Sequence, residues 1–339
     1  MSDAEKAVAE RDARELAEMC DLPTLELRRH GGLTVPRDGD VLLALSVGPA
    51  GEAVTLWCAE ADRDGVNSVT VQPGWATFPD ARSARPAGAR IAVHSPDAVT
   101  TVVDVAALAV AHATVQPLPG GRFLVVGARC RWRPEGPDRN AIVYGPDGGR
   151  LSEHTLGDGI EHLLTTPSGQ IWAGYFDEGV YGNCGWGGPG PEPLGESGLV
   201  RFGPGGEPAW EFPGDKAIDD CYALNVSGET AWACYYTDFP VVRVSDGAVT
   251  TWANGLATGV KGLIADGSRV GLIGGYRAYL DRVVVASLGD GVLHETGRYR
   301  LVLPGGDLLP DRFRTVARGP DLHLFVGADW YRLTLDDLP

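Results

Sequence analysis

Lysine is nearly missing from this 339-residue chain: Lys6, Lys216 and Lys261 are its only lysines, so arginine supplies the rest of 29 basic residues against 45 acidic ones. The net charge of −16 and the lack of any basic run argue against a nucleic-acid partner. A duplex binder needs clustered Lys and Arg to displace counterions. No apolar run reaches the length of about 18 residues that a membrane-crossing helix needs, so no membrane association is expected. The first residues, Met1-Ser2-Asp3-Ala4-Glu5-Lys6, are not followed by an apolar stretch and do not read as a signal peptide. Six cysteines without an export signal read as thiols of a reducing compartment, and a cytoplasmic location is expected. No P-loop, dinucleotide fingerprint, GxSxG elbow, HExxH or CxxC spacing occurs, so no cofactor and no metal is called for.

Glycine and proline are plentiful, at 47 and 24 residues, and they fall at intervals between apolar runs, as turns do in a many-stranded fold. One pattern recurs six times: a β-rich run, a short turn with Gly, and a second β-rich run. The pairs are 41–47/53–58, 113–118/123–128, 161–165/171–176, 221–226/230–236, 261–264/270–276 and 314–317/322–328. Five are followed by a second hairpin, at 90–105, 141–156, 199–212, 241–252 and 282–299. Two hairpins make four strands, which is one propeller blade.

The sixth unit has one further strand, 331–335, and residues 24–29 can supply the missing one. Such a closure joins the termini and removes an exposed sheet edge. The expected fold is therefore all-β: a six-bladed β-propeller over 23–339, closed by an N-terminal strand, with a short helix in 1–22. A seventh blade in 66–78 and a β-sandwich pair are the alternatives. The helix carries a narrow apolar stripe, Val8, Leu16 and Met19, suited to packing on a rim or to a partner.

The stretch Thr166-Pro167-Ser168-Gly169-Gln170-Ile171-Trp172-Ala173-Gly174, running on to Glu178-Gly179-Val180, resembles the repeats of regulator-type sensor propellers and of the lactonase/gluconolactonase superfamily. The resemblance implies the propeller fold, which hosts many functions. The lactonases' metal-binding residues have no residue-by-residue match here.

Long connections at 59–88, 129–140, 177–198, 213–220 and 300–311 share one face of such a disc, where binding groups usually sit. Candidate ligand-binding residues at the channel mouth there are Glu161, His162, Asp177, Glu178, Asp220, Tyr235, Asp238, Lys261 and Arg277. Mixed charges with tyrosines suit a small polar molecule, a peptide or a protein partner. Glu161, His162 and Asp177 read either as an acid/base or metal group or as solvated channel-lining side chains. Tyr235 and Tyr236 alternate faces, so one contacts ligand or core while its neighbour turns away. Pro240 is expected to hold Phe239 extended. Trp186, in the Gly/Pro-rich loop 182–198, reads as a recognition anchor or as a side chain tucked into the disc. Counting back from a Ser227-Gly228 turn sets Cys221 opposite Cys234 as a cross-strand thiol pair, reduced in the cell. The function these residues support is a non-catalytic binding platform; the alternative is a hydrolase or lyase acting at the channel mouth.

Overall fold

The computed structural model describes residues 2–74, 76–188, 190–214 and 218–338. Helix α1 (Asp3–Asp21) opens the chain and is set by a capping box: Glu5 N donates to Ser2 Oγ, and Ser2 N donates to the Glu5 carboxylate at 2.6 Å. Short strands β1 (Thr24–Glu26) and β2 (Arg28–Gly32) follow.

The first blade is β3 (Asp40–Val47), β4 (Ala53–Ala59), β7 (Arg82–His94) and β8 (Val99–Val110), with a hairpin excursion of β5 (Val69–Gln72) and β6 (Ala76–Pro79) after the single turn α2 (Arg63–Val66). The second is β9 (Ala113–Leu118), β10 (Arg122–Gly127), β11 (Ala141–Tyr144) and β12 (Arg150–His154). The third is β13 (Ile160–Thr165), β14 (Ile171–Tyr175), β15 (Leu199–Phe202) and β16 (Pro208–Glu211), with α3 (Asp177–Tyr181) after β14. The fourth is β17 (Asp220–Ser227), β18 (Thr230–Tyr236), β19 (Val241–Ser245) and β20 (Ala248–Trp252). The fifth is β21 (Gly262–Ala265), β22 (Arg269–Ile273), β23 (Arg282–Leu288) and β24 (Leu293–Val302). The sixth is β25 (Arg314–Arg318), β26 (Asp321–Val326), β27 (Asp329–Thr334) and β2. The fold is thus a six-bladed β-propeller with an N-terminal helix. The segment 66–78, weighed as a seventh blade, holds only the exposed hairpin β5–β6.

The closing strand differs from the run 24–29 expected for it. Residues Thr24–Glu26 instead pair in parallel with the outer edge of β24, from Thr24 opposite Arg300 to Glu26 opposite Val302. Leu27, 1% exposed, continues that ladder through its amide to Val302 O at 2.9 Å and turns the chain toward β27. Strand β24 is ten residues long, and its free edge takes the first three residues before β2 closes the sixth blade.

The chain divides into two compact units. The first, Gly31–Cys221 with Val226–Thr230, has two apolar clusters. One is built around Leu56, Ile91, Phe123 and Ile142, the other around Leu124, Ile171, Tyr175 and Phe202. The second, Met1–His30 with Tyr222–Asn225 and Ala231–Pro339, also has two. They centre on Trp232, Val241, Leu272 and Val284 and on Leu27, Ile264, Leu324 and Leu333. Strand alternation places these residues inward.

One packing device recurs in both units. An arginine on the third strand of a blade lies over a tryptophan on the second: Arg201 over Trp172 at 5.7 Å and Arg243 over Trp232 at 5.6 Å. Each is a cross-strand pair, and the ring face favours the cation while the arginine stem covers apolar surface.

Candidate functional site

In the second unit, four aromatic rings gather where β18 and β22 end and β17 begins. Phe239 lies 5.1 Å from Tyr222, 5.9 Å from Tyr236 and 6.0 Å from Tyr276 between ring centroids. Tyr222 stacks with Tyr236 at 6.4 Å and meets Tyr276 edge-on at 6.1 Å. Such offset and edge-to-face contacts suit the ring quadrupoles. The Tyr276 hydroxyl donates to the Tyr222 hydroxyl at 2.9 Å, and the Lys261 ammonium stands 4.5 Å over the Tyr222 ring. Phe239 is 4% exposed and forms the floor, while Tyr236 at 44% and Tyr276 at 38% face outward.

The backbone under this patch is unusual. Asp238, Phe239 and Arg277 have φ of +66°, +52° and +54°, a region costly for side chains with a Cβ. Phe239 is therefore left-handed and not extended, contrary to the preference that Pro240 imposes on the residue before it. Its carbonyl accepts from Cys234 Sγ at 3.2 Å and from Asn254 Nδ2 at 2.8 Å, and this anchorage outweighs the local preference. Gly259 (φ +67°) lies under Tyr276, where a Cβ would come within 2.8 Å of the ring.

The first unit offers a different arrangement. Arg129, 6% exposed, makes a two-pronged pair with Asp158 through Nε at 3.0 Å and Nη2 at 2.9 Å. It also meets Glu178 at 2.5 Å and Cys184 Sγ at 3.3 Å. Burial works against its charge, but the Asp158 hydrogen bonds and the surrounding acids hold the guanidinium more firmly protonated than usual. Asp158 accepts further from Cys130 N at 2.6 Å. Burial is the main cause pushing the Cys184 and Cys130 thiols up. Beside this core lies an open cleft of about 1040 Å³, lined among others by Tyr181, Glu192, Glu196, Glu211, Phe212 and Asp219. The Tyr181 hydroxyl donates to Asp219.

The sequence candidates separate accordingly. Glu161 is exposed and His162 half-buried, at a register shift where β13 meets β14. Asp177, exposed, accepts from Glu178 N at 2.7 Å at the start of α3, and Glu178 belongs to the Arg129 pair. Asp220 begins β17, half-buried. Among the described residues no group of three or more His, Cys, Asp and Glu side chains is arranged to hold a metal.

Of the second-unit candidates, Asp238 and Lys261 are exposed, Lys261 in the patch itself. Arg277 is turned to Glu15 at 2.9 Å. Tyr235 is buried at 6%, and burial raises its pKa; the outward member of the pair is Tyr236. Trp186 is buried as well, its indole N–H donating to Cys130 O at 2.8 Å. Cys221 and Cys234 are both buried, and neither forms a disulfide. β17 runs through Ser227 and β18 starts at Thr230, so the connecting turn falls one residue later than the one from which their pairing was counted.

The sequence reading missed Tyr222, whose signal was available: it alternates with Cys221 at the start of β17 and so shares a face with Asp220.

A family model described as the YxzG family matches residues 215–261, a span that includes Tyr222, Tyr236, Phe239 and Lys261. No curated protein matches the sequence. Among solved structures, a gluconolactonase from Xanthomonas campestris is 14% identical, with 92% of this chain and 96% of that chain covered and a TM-score of 0.44. The PQQ-bound aldose sugar dehydrogenase from Streptomyces coelicolor is 11% identical, covering 92% and 99%, with a TM-score of 0.42. YCF48 bound to D1 peptide is 12% identical, covering 93% and 100%, at 0.44. The neighbours thus include enzymes and a peptide-bound propeller, and at this identity the likeness concerns the fold alone.

Proposed function

We propose that the protein is a non-catalytic binding module that takes a peptide segment of a partner protein on the tyrosine patch of the second unit. The observation that carries this reading is the packed set Tyr222, Tyr236, Phe239 and Tyr276, with two of its rings more than a third exposed. Tyrosine supplies large contact area with little rotamer entropy to lose, and its hydroxyl can bond peptide groups. The rings brace one another, so little ordering cost remains at binding. Lys261 adds one donor at the rim. With a net charge of −16, nucleic acid is a poor partner for this surface.

The hydrolase or lyase alternative, with Glu161, His162, Asp177 and Asp220 as its working residues, has less support, since among the described residues no three such side chains are grouped to hold a metal. Glu178 is engaged by Arg129. Burial pushes the Cys130 and Cys234 thiols up, and it pushes His94 down to about 4 and His323 down to about 3. Each is held uncharged at neutral pH, without the poise of an acid/base group.

Selection of displayed random peptides on the full chain tests the proposal. Selected peptides are expected to bind Tyr236→Ala and Tyr276→Ala at least about tenfold more weakly, the loss typical of a central aromatic anchor. Failure to select any peptide, or equal affinity for the variants, overturns it.

A further inference from the structure

Helix α1 docks in the second unit through polar contacts. Of its apolar stripe only Met19 is buried, at 1% exposure; Val8 and Leu16 stand outward at 45% and 55%. Beside Met19, the inward polar contacts come from two acids. Glu15 meets Arg277 at 2.9 Å. Glu18 accepts from the Tyr279 hydroxyl at 2.8 Å and meets Arg298 at 3.3 Å. Arg282, 5% exposed, lies with its guanidinium 4.1 Å from the Tyr279 ring.

The contacts to Arg277 and Tyr279 fall on one helical turn, Arg277–Tyr279, and the residue that caps its start is Tyr276 of the patch; Arg298 lies on β24. Tyr279 N donates to Tyr276 O at 3.2 Å, which closes the turn. Arg277 holds φ at +54°, a conformation that a side chain with a Cβ adopts only when its surroundings over-determine it. Its half-exposed side chain pairs with Glu15, 262 residues away in sequence.

Resting on the peptide-binding reading above, we propose that α1 is a detachable latch: Glu15 and Glu18 are positioning residues that hold the turn Arg277–Tyr279 and thereby set Tyr276 in the binding patch. Because Glu15 and Glu18 reach Arg277 and Arg298 by ion pairs, added salt weakens their hold even while Met19 stays buried, as does any modification or partner that draws α1 away. A helix packed by an apolar face would not respond in this way.

The test reads amide hydrogen exchange of the full chain. In Glu15→Gln/Glu18→Gln the Tyr279 amide is expected to exchange at least about tenfold faster, with the amides of β21 and β22 unchanged. In the wild type, raising salt should produce the same local change. Glu15→Arg should loosen the turn, and adding Arg277→Glu should restore its protection. Unchanged exchange at Tyr279, or a rise spread across the whole sheet, overturns the latch. This measurement needs no ligand, so it stands apart from the peptide selection. With selected peptides in hand, the double variant should bind several-fold more weakly; faster exchange with unaltered affinity would overturn the link between the latch and the patch.

Discussion

The Arg129 cluster of the first unit and the tyrosine patch of the second both consist of residues that commonly bind ligands, yet they are built in opposite ways. Arg129 and Asp158 are buried and bonded to each other, so their binding capacity is spent inside the protein. The rings around Phe239 brace one another edge-on and leave Tyr236 and Tyr276 outward, so their capacity faces solvent. A charged side chain saturated by its neighbours is structural, while an aromatic side chain supported from below and open above is suited to recognition.

Four measurements can break or sharpen that contrast. The largest effect is expected for Arg129→Ala, which strands Asp158 as a buried carboxylate. Chemical denaturation should show a loss of about 3–5 kcal/mol. A loss below about 1 kcal/mol would show that the cluster is not structural.

Acid is expected to weaken both units through one buried histidine in each. His94, 0% exposed, accepts or donates at Thr55 Oγ1 at 2.9 Å; His323, 1% exposed, receives the Trp330 indole N–H at 3.0 Å. Their folded pKa values, about 4 and about 3, lie below the ordinary 6.5 of the unfolded chain. The unfolded state therefore binds more protons as pH falls. The histidine share of stability is complete above about pH 6.5 and is lost progressively toward pH 4 and pH 3, by about 2 kcal/mol for each group at pH 5. Denaturation curves at pH 7 and pH 5 should show this loss, reduced in His94→Gln and in His323→Gln. A slope insensitive to both replacements would assign acid sensitivity to other groups.

Gly259→Ala is expected to act on the patch alone. The new Cβ presses on the Tyr276 ring and meets an unfavourable φ, so calorimetry should find selected peptides bound several-fold more weakly. Unaltered affinity would remove Tyr276 from the recognition surface. The smallest effect belongs to the exposed acids of the cleft. Glu192→Gln and Glu196→Gln should leave stability within about 0.5 kcal/mol and peptide affinity unchanged. A loss of peptide affinity there would move the binding surface to the first unit.

The blades were legible because each repeats the same local grammar, a β-rich run, a turn with Gly and a second run, and this pattern needs no distant partner to be recognised. Lys261, Asp238 and Arg277 were legible as polar residues just beyond inner strands. The choice between Tyr235 and Tyr236 was not. Alternation shows that they face opposite ways, and only the packed neighbours show which way is inward. Trp186 was ambiguous for the same reason: its indole reaches the carbonyl of Cys130, 56 residues earlier. The apolar stripe of α1 marked Met19 as inward but not Glu15 and Glu18, whose partners lie more than 260 residues away.

By itself, then, the sequence determined the repeated hairpin units, their strand spacing and the polar character of the loops, because turn chemistry and strand alternation act over a few residues, while the structure decided that 66–78 adds no seventh blade. Tertiary structure decided which edge receives Thr24–Glu26, which tyrosine is exposed and which arginine is locked in a buried pair. Those outcomes depend on the partner that packing brings from far along the chain, and a buried charge or an exposed ring is defined only once that partner is in place.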